Sequence, residues 1–177
     1  YLYVCTCNGV DRSHRNIPSP RAPNLIVLDK RTGALAAVID KPLGTALFHG
    51  DWSSPALARV NGRELIVWGG GDGFCYAFDP LFEPGKDGRP GTLRQVWRFD
   101  CNPPQNTFKD GRKLPYNKNG QGPSEIIATP VVANGRIYVA VGQDSRHGPG
   151  KGCLSCIDPA GEGDITEKGK VWQCADV

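Results

Sequence analysis

The sequence lacks a long apolar run: its apolar stretches are only a few residues long, whereas a membrane-spanning helix needs roughly 18. It also has little net charge, because 21 Lys and Arg residues stand against 18 Asp and Glu residues. Binding to nucleic acid by counterion release requires a concentrated basic face, which so small an excess does not indicate. We therefore expect neither a membrane span nor a nucleic-acid partner.

The common catalytic motifs are missing as well. The chain has no G-x-S-x-G elbow, no P-loop and no H-E-x-x-H. The glycine-rich segment GGGDG (69–73) leads into the strand-like FCYAFD, so it predicts a tight turn rather than a phosphate site at a helix N-terminus. The first residues, YLYVCTC, lack the basic segment and cleavage site of a signal peptide. They are typical of a strand entered midway, and we expect the chain to be a fragment.

The seven cysteines do not indicate a metal site. Cys153 and Cys156 form a C-x-x-C within an extended apolar run, where residues three apart face opposite sides of a strand. An odd number leaves at least one thiol unpaired or paired outside the chain. Buried, unreactive thiols are the expected state.

What the sequence has in excess is turn residues and repetition. Its 23 glycines and 15 prolines argue against a mostly helical fold, and the apolar runs between them argue against disorder. The segment 53–80 aligns with 128–159, and Trp97 and Trp172 lie 75 residues apart, as do Pro55 and Pro130. A third, truncated copy precedes both. Without insertions the repeat is about 50 residues long, and inserted loops lengthen it to 75.

Each unit is predicted to form four short strands, which in the middle unit are 54–60, 64–69, 74–79 and 93–100. An Asn-Gly turn follows the first strand at Asn61 and again at Asn134, and this pair favours hairpins. The continuous apolar runs 65–68 and 137–141 indicate strands buried on both faces. Repeated four-stranded sheets buried on both faces are typical of a β-propeller.

We therefore predict an all-β fold, a partial β-propeller of four-stranded antiparallel blades, with about 2.75 blades and eleven strands in all. A single domain covers residues 1–177. The remainder of a first blade spans 1–40, the second blade 53–100 and the third 127–174. Long loops are expected at 8–24, 41–52, 101–125 and 143–151.

Three segments carry a family resemblance: LIVLDKRTGAL (25–35), YAFDP with GTLRQVW (76–97), and CIDPAGEGD with GKVW (156–172). They resemble the repeat of PQQ-like β-propellers, the quinoprotein alcohol dehydrogenase-like family and its cofactor-free relatives. The resemblance implies a ring of seven or eight blades, of which this chain is an excerpt that contacts the remaining blades. It also implies export to the periplasm or cell envelope.

In that family the last Trp of the repeat packs between neighbouring blades, and Trp97 and Trp172 match it. The first unit has Val38 or a neighbour where the Trp is expected. The quinoprotein dehydrogenases hold pyrroloquinoline quinone over a Trp and beneath a disulfide of adjacent cysteines, with calcium bound by Glu and Asn. This chain has no Cys-Cys pair, and no calcium set can be matched to it residue by residue.

The resemblance therefore predicts a non-catalytic binding or scaffold module that needs no cofactor within this chain. Cofactor-free members of the family serve in protein assembly. The alternative is a part of a PQQ-dependent dehydrogenase whose quinone and calcium site lies in blades outside this chain. We assign no catalytic residue and no metal ligand, and the question of enzyme activity stays open.

The long loops are predicted to lie on one face, and a G-x-D-x-x-H pattern recurs in two of them, ending at His14 and His147. The candidate ligand-binding residues on this face are Asp11, His14, His49, Asp51, Asp72, Glu125, Asp144 and His147. Such side chains suit a metal ion, a small polar ligand or a protein partner. The favoured interpretation is plainer: Asp at the start of a glycine-rich loop caps its own backbone in an Asx-turn. The basic segment 101–122 is expected to be a solvated loop, with partner docking as the alternative.

Overall fold

The computed structural model describes residues 1–116, 122–143 and 150–175. Helix in these residues is limited to a 3-10 turn (Gly44–Ala46) and the four-residue α1 (Pro104–Thr107), and the rest of the regular structure is strand. The all-β prediction is confirmed. No helix of the described residues has the length and apolar character to cross a membrane.

Three sheets follow one another along the chain. The first begins with three antiparallel strands: β1 (Leu2–Cys5), β2 (Leu25–Leu28) and β3 (Leu35–Ile39). The second begins with β4 (Ala56–Val60), β5 (Arg63–Gly69) and β6 (Phe74–Phe78). The chain then returns to the first sheet as β7 (Gly91–Leu93) before β8 (Gln95–Asp100) completes the second antiparallel set.

A small hairpin precedes the third sheet and consists of β9 (Phe108–Lys109) and β10 (Arg112–Lys113). The third sheet contains β11 (Val131–Ala133), β12 (Arg136–Val141) and β13 (Cys153–Ile157). Next, β14 (Gly163–Asp164) joins the edge of the second sheet, and β15 (Lys170–Ala175) completes the third. The N-G turns form as expected, because Asn61, Gly62, Asn134 and Gly135 all adopt positive φ.

The three sheets share one detail of register. In each, the last antiparallel strand has a β-bulge, and the residue after the bulge pairs with the preceding strand: Ala37 with Val27, Trp97 with Ala77 and Trp172 with Cys156. Ala37, Trp97 and Trp172 are therefore equivalent positions. The first sheet has Ala37, a neighbour of Val38, at the position where the repeat predicts Trp.

Two short parallel strands correct the predicted strand 93–100. Leu93 belongs to β7 and pairs with Ile39 of the first sheet, whereas β8 of the second sheet begins only at Gln95. Likewise, Gly163 of β14 pairs in parallel with Trp97. In both cases the link before a sheet's last strand adds a strand to the outer edge of the preceding sheet. A parallel pair has no local turn signal, so the sequence did not reveal it.

The second sheet is the centre of the core. Alternate residues of its strands point to opposite faces, so one set packs against the first sheet and the other against the third. Toward the first sheet it packs Ile66, Trp68, Tyr76 and Phe78 against Leu25, Val27 and Ala37. Toward the third it packs Leu65, Val67, Trp97 and Phe99 against Ile137, Val139 and Ile165. The prediction that residues 65–68 are buried on both faces is confirmed.

The equivalent prediction for residues 137–141 is wrong in part. Val139 is buried, but Tyr138 is only partly buried and Ala140 is exposed. Trp97 is 0% exposed, whereas its equivalent Trp172 is 42% exposed. The reason is the same in both cases: a third sheet covers Trp97, while no sheet of the described residues covers the outer side of the third sheet.

All seven cysteines are free thiols. Cys75, Cys101, Cys153 and Cys156 are buried, and desolvation raises the pKa of the Cys75 and Cys101 thiols well above the usual range. These fit the expected inert state. The expectation is wrong for Cys7 and Cys174, which are exposed, and Cys5 is partly buried.

Candidate functional site

The long loops at one end of the sheets are hydrogen-bonded to each other. Val10 N–H donates to the His49 carbonyl at 2.8 Å and Asp51 N–H to the Asn8 carbonyl at 3.0 Å, which joins the loops 8–24 and 41–52. Phe48 N–H donates to the Gly71 carbonyl at 2.9 Å. Cys101 N–H donates to the Gly73 carbonyl at 3.1 Å. We call the surface formed by the described residues of loops 8–24, 41–52, 70–73 and 101–125 the loop face.

Asp51 holds three of these loops together from the inside. It is fully buried, its Oδ1 accepts from Gly71 N–H at 2.8 Å, and its Oδ2 accepts from the Asn24 amide at 2.5 Å. Asn24 Oδ1 in turn accepts from Leu43 N–H at 2.8 Å. Position 71 must be Gly, because a Cβ there would overlap the Gly50 carbonyl. Burial raises the pKa of Asp51 to about 6, although the hydrogen bonds from Asn24 and Gly71 act to lower it.

Asp72 lies beside Asp51 and is also buried. Its Oδ2 accepts from the Tyr76 hydroxyl at 2.6 Å and its Oδ1 from Phe74 N–H at 3.2 Å. Burial raises the pKa of Asp72 to about 6, and the neighbouring Asp51 carboxylate adds to the rise. Both carboxylates are therefore part of the interior of the loop face.

Asp11 has the geometry of an Asx-turn. Its Oδ1 accepts from the backbone N–H of Ser13 at 2.9 Å and from the Ser13 hydroxyl at 2.6 Å, and its Oδ2 accepts from the Asn16 amide at 3.0 Å. These hydrogen bonds lower the pKa of Asp11 to about 2. Ser13, the hydroxyl next to His14, thus donates to a carboxylate rather than to an imidazole.

The two histidines of the first two long loops meet on the surface. His49 Nε2 lies 2.8 Å from His14 Nδ1, and the two rings stack with centroids 4.8 Å apart. The Trp52 ring follows at 5.0 Å from the His49 ring and is itself exposed. We call His14, His49 and Trp52 the ring patch. Trp52 is not among the residues predicted from the sequence, although it stands directly after Asp51 in HGDW.

The remaining candidates lie nearer the third sheet. Glu125 is buried, and its carbonyl accepts from Gly142 N–H at 2.9 Å. This isolated bridge repeats the one between Gly9 and Gly50. Asp144 and His147 lie outside the described residues. Within the described ranges, no three His, Cys, Asp or Glu side chains are grouped as a metal site would require.

In its described part, the segment 101–122 is less solvated than expected. Asn102, Asn106 and Thr107 are buried, because the chain turns inward through α1. The Asn102 amide donates to the Ser124 carbonyl at 2.9 Å and its oxygen accepts from Ser124 N–H at 2.7 Å. A small cavity of about 140 Å³ beside this contact is lined by Phe48, Asp72, Phe74, Asp100, Asn102 and Lys113, among others.

No family model, curated protein or solved structure matches the chain. The site consists of a hydrogen-bonded set of loops, the buried Asp51 that joins three of them, the buried Asp72 beside it, and the ring patch, in which His14 and Trp52 are exposed and His49 is partly buried.

Proposed function

We propose that the chain is a run of β-propeller blades of the PQQ-like class and that it acts as a non-catalytic binding or scaffold module. Its loop face binds a protein or a small polar ligand, and export to the periplasm or cell envelope belongs to the same proposal. Support for the fold comes from the repeated bulge register and from the parallel edge strands β7 and β14.

The uncovered outer faces of the first and third sheets also support the blade assignment. Leu2 and Val4 are exposed on the first sheet, and Val131 and Trp172 on the third. Exposed apolar strips of this kind mark surfaces that another element covers. In the proposal, further blades of the ring cover both faces.

The ring patch is the single observation that carries the binding function. The His14 ring stacks on the His49 ring, and the Trp52 ring lies tilted against His49, on loops whose backbones are fixed by mutual hydrogen bonds. His14 and Trp52 are exposed, and His49 is partly buried. Aromatic side chains on a rigid scaffold lose little conformational entropy on binding, which is why Trp is enriched in binding hot spots. The buried Asp51 carboxylate joins three loops and the buried Asp72 carboxylate bonds to Phe74 and Tyr76, so neither need contact the ligand.

Photo-crosslinking in the native host tests the binding function. A benzoylphenylalanine at position 52 is expected to give one discrete crosslinked product, which should be lost in the His14→Ala/His49→Ala double variant. Leu57, exposed on the second sheet, is the matched control position and should give none. A product that forms equally from both positions, or no discrete product from position 52, contradicts the proposal.

The non-catalytic part is tested separately. The protein expressed from its complete reading frame is incubated with pyrroloquinoline quinone and Ca²⁺, and reduction of an artificial dye is followed with primary alcohols as substrates. The proposal predicts no turnover above a protein-free blank. Robust turnover that depends on both quinone and calcium would replace it with the dehydrogenase alternative.

A further inference from the structure

A cavity of about 510 Å³ lies between the first and second sheets, away from the ring patch. Its volume falls within the range of roughly 300–1,000 Å³ typical of small-molecule sites. One wall is a ladder of rings on the second sheet: the ring centroids of Trp68 and Tyr76 are 5.9 Å apart, and those of Tyr76 and Phe78 are 6.3 Å apart. Ile39, Leu43 and Leu93 line the other side.

The repeat explains why this interface has space. The second sheet projects Trp97 toward the third sheet, but the equivalent residue of the first sheet is Ala37. With only a methyl group at that position, strand β3 sends no ring into the interface with the second sheet, and Tyr3 of β1 packs there only as a partly buried side chain. The buried rings of the interface come from the second sheet, and Tyr76 and Phe78 keep a small exposed area.

Charged side chains surround the mouth of the cavity: Asp40, Lys41, Glu83 and Arg94. Arg94 donates to Asp79 at 2.9 Å. Arg63 also approaches Asp79, at 4.0 Å, but has its own closer partner in Glu162 at 3.3 Å, so Asp79 outside the cavity balances the charge of Arg94. Asp40, Lys41 and Glu83 are exposed and make no side-chain hydrogen bond or ion pair within the part of the chain described here. Among the described residues, the unpaired charges at the mouth are therefore two carboxylates, Asp40 and Glu83, and one ammonium group, Lys41.

We propose that this cavity binds a flat aromatic molecule that carries a cationic amine. The space between two packed sheets is narrow and favours a planar ligand. Aromatic rings attract other rings in offset or edge-to-face contacts and attract cations over their faces. The amine points outward to Asp40 and Glu83, whose negative charges exceed the charge of Lys41.

Isothermal titration calorimetry with two probes of equal ring and opposite charge tests the proposal. Tryptamine is expected to bind, and indole-3-propionate is expected to bind at least about tenfold more weakly, because its carboxylate faces Asp40 and Glu83. Equal or tighter binding of the propionate overturns the proposal. So does the absence of measurable tryptamine binding.

Variants locate the binding. Asp40→Asn and Glu83→Gln should each weaken tryptamine binding about three- to tenfold, while Glu167→Gln, an exposed carboxylate of the third unit, should leave it unchanged. Thr92→Trp puts an indole at the mouth and should abolish binding, whereas Leu57→Trp on the exposed side of β4 should not. Unchanged binding in Asp40→Asn/Glu83→Gln or in Thr92→Trp overturns the proposal. The replaced residues are exposed, and a thermal melt of each variant verifies folding.

Discussion

Asp51 and Asp72 are buried carboxylates whose hydrogen bonds do not fully offset their desolvation. Each has a folded-state pKa of about 6, above the ordinary value of 3.8. The folded state therefore binds these protons more tightly than the unfolded state. Their contribution to the free energy of unfolding is fully present below pH 4 and is lost as the pH rises through 6.

Asp72→Asn tests this directly. The asparagine keeps an acceptor for Phe74 N–H and a partner for the Tyr76 hydroxyl, but it does not titrate. The free energy of unfolding of the wild type, relative to this variant, should fall by about 2 kcal/mol between pH 4 and pH 7.5. Urea denaturation at a series of pH values gives the difference.

Asp11→Asn is the matched control for this series. The Asp11 pKa is lowered to about 2, so its stabilising contribution is present above pH 4 and is lost only as the pH falls toward 2. Its difference from the wild type should stay flat over the range in which the Asp72 difference falls. A flat or rising Asp72 difference contradicts the assigned burial.

The topology predicted from the sequence placed His14 and His49 on links at the same face, and the structure brings their two rings together. The burial of Asp51 and Asp72 was not predicted. The partner of Asp51, Asn24, is distant in the sequence, and the partner of Asp72, Tyr76, was assigned only to a strand. Nothing local marked Trp52 as the third ring of the patch.

Among the strands, the local signals succeeded and the long-range pairings failed. The N-G hairpins and the apolar runs gave β4, β5, β6 and β12 to within two residues. The strands β7 and β14 went unrecognised, because two or three residues pairing in parallel with a distant edge leave no periodic pattern. The burial of Asn106 and Thr107 in α1 was not predicted either, because it depends on packing rather than on a local sequence pattern.

The equivalent positions of the second and third sheets allow a paired prediction. Trp97→Ala should lower the free energy of unfolding by about 3–5 kcal/mol, because it removes a fully buried indole between two sheets. Trp172→Ala in the 177-residue chain should lower the free energy of unfolding by less than about 1 kcal/mol, because the Trp172 side chain is 42% exposed. Urea denaturation monitored by circular dichroism measures both. Equal losses would contradict the difference between the two environments.

As a whole, the molecule is a stack of three sheets with apolar residues on both outer sides. The first sheet exposes Leu2 and Val4, and the third exposes Val131 and Trp172. An isolated 177-residue chain should therefore associate at micromolar concentration. Trp172→Asp should shift it toward the monomer in sedimentation velocity, and the exposed substitution Leu81→Asp should not. A chain that stays monomeric at all concentrations contradicts this expectation.

The most direct test of the β-propeller proposal is an experimental structure of the protein expressed from its complete reading frame. The decisive observation is what packs against Trp172. We predict that a further four-stranded antiparallel sheet covers Trp172 and that the link before its last strand adds a short parallel strand to the edge of β15. Trp172 in contact with solvent, or packed against a helix, would contradict the account.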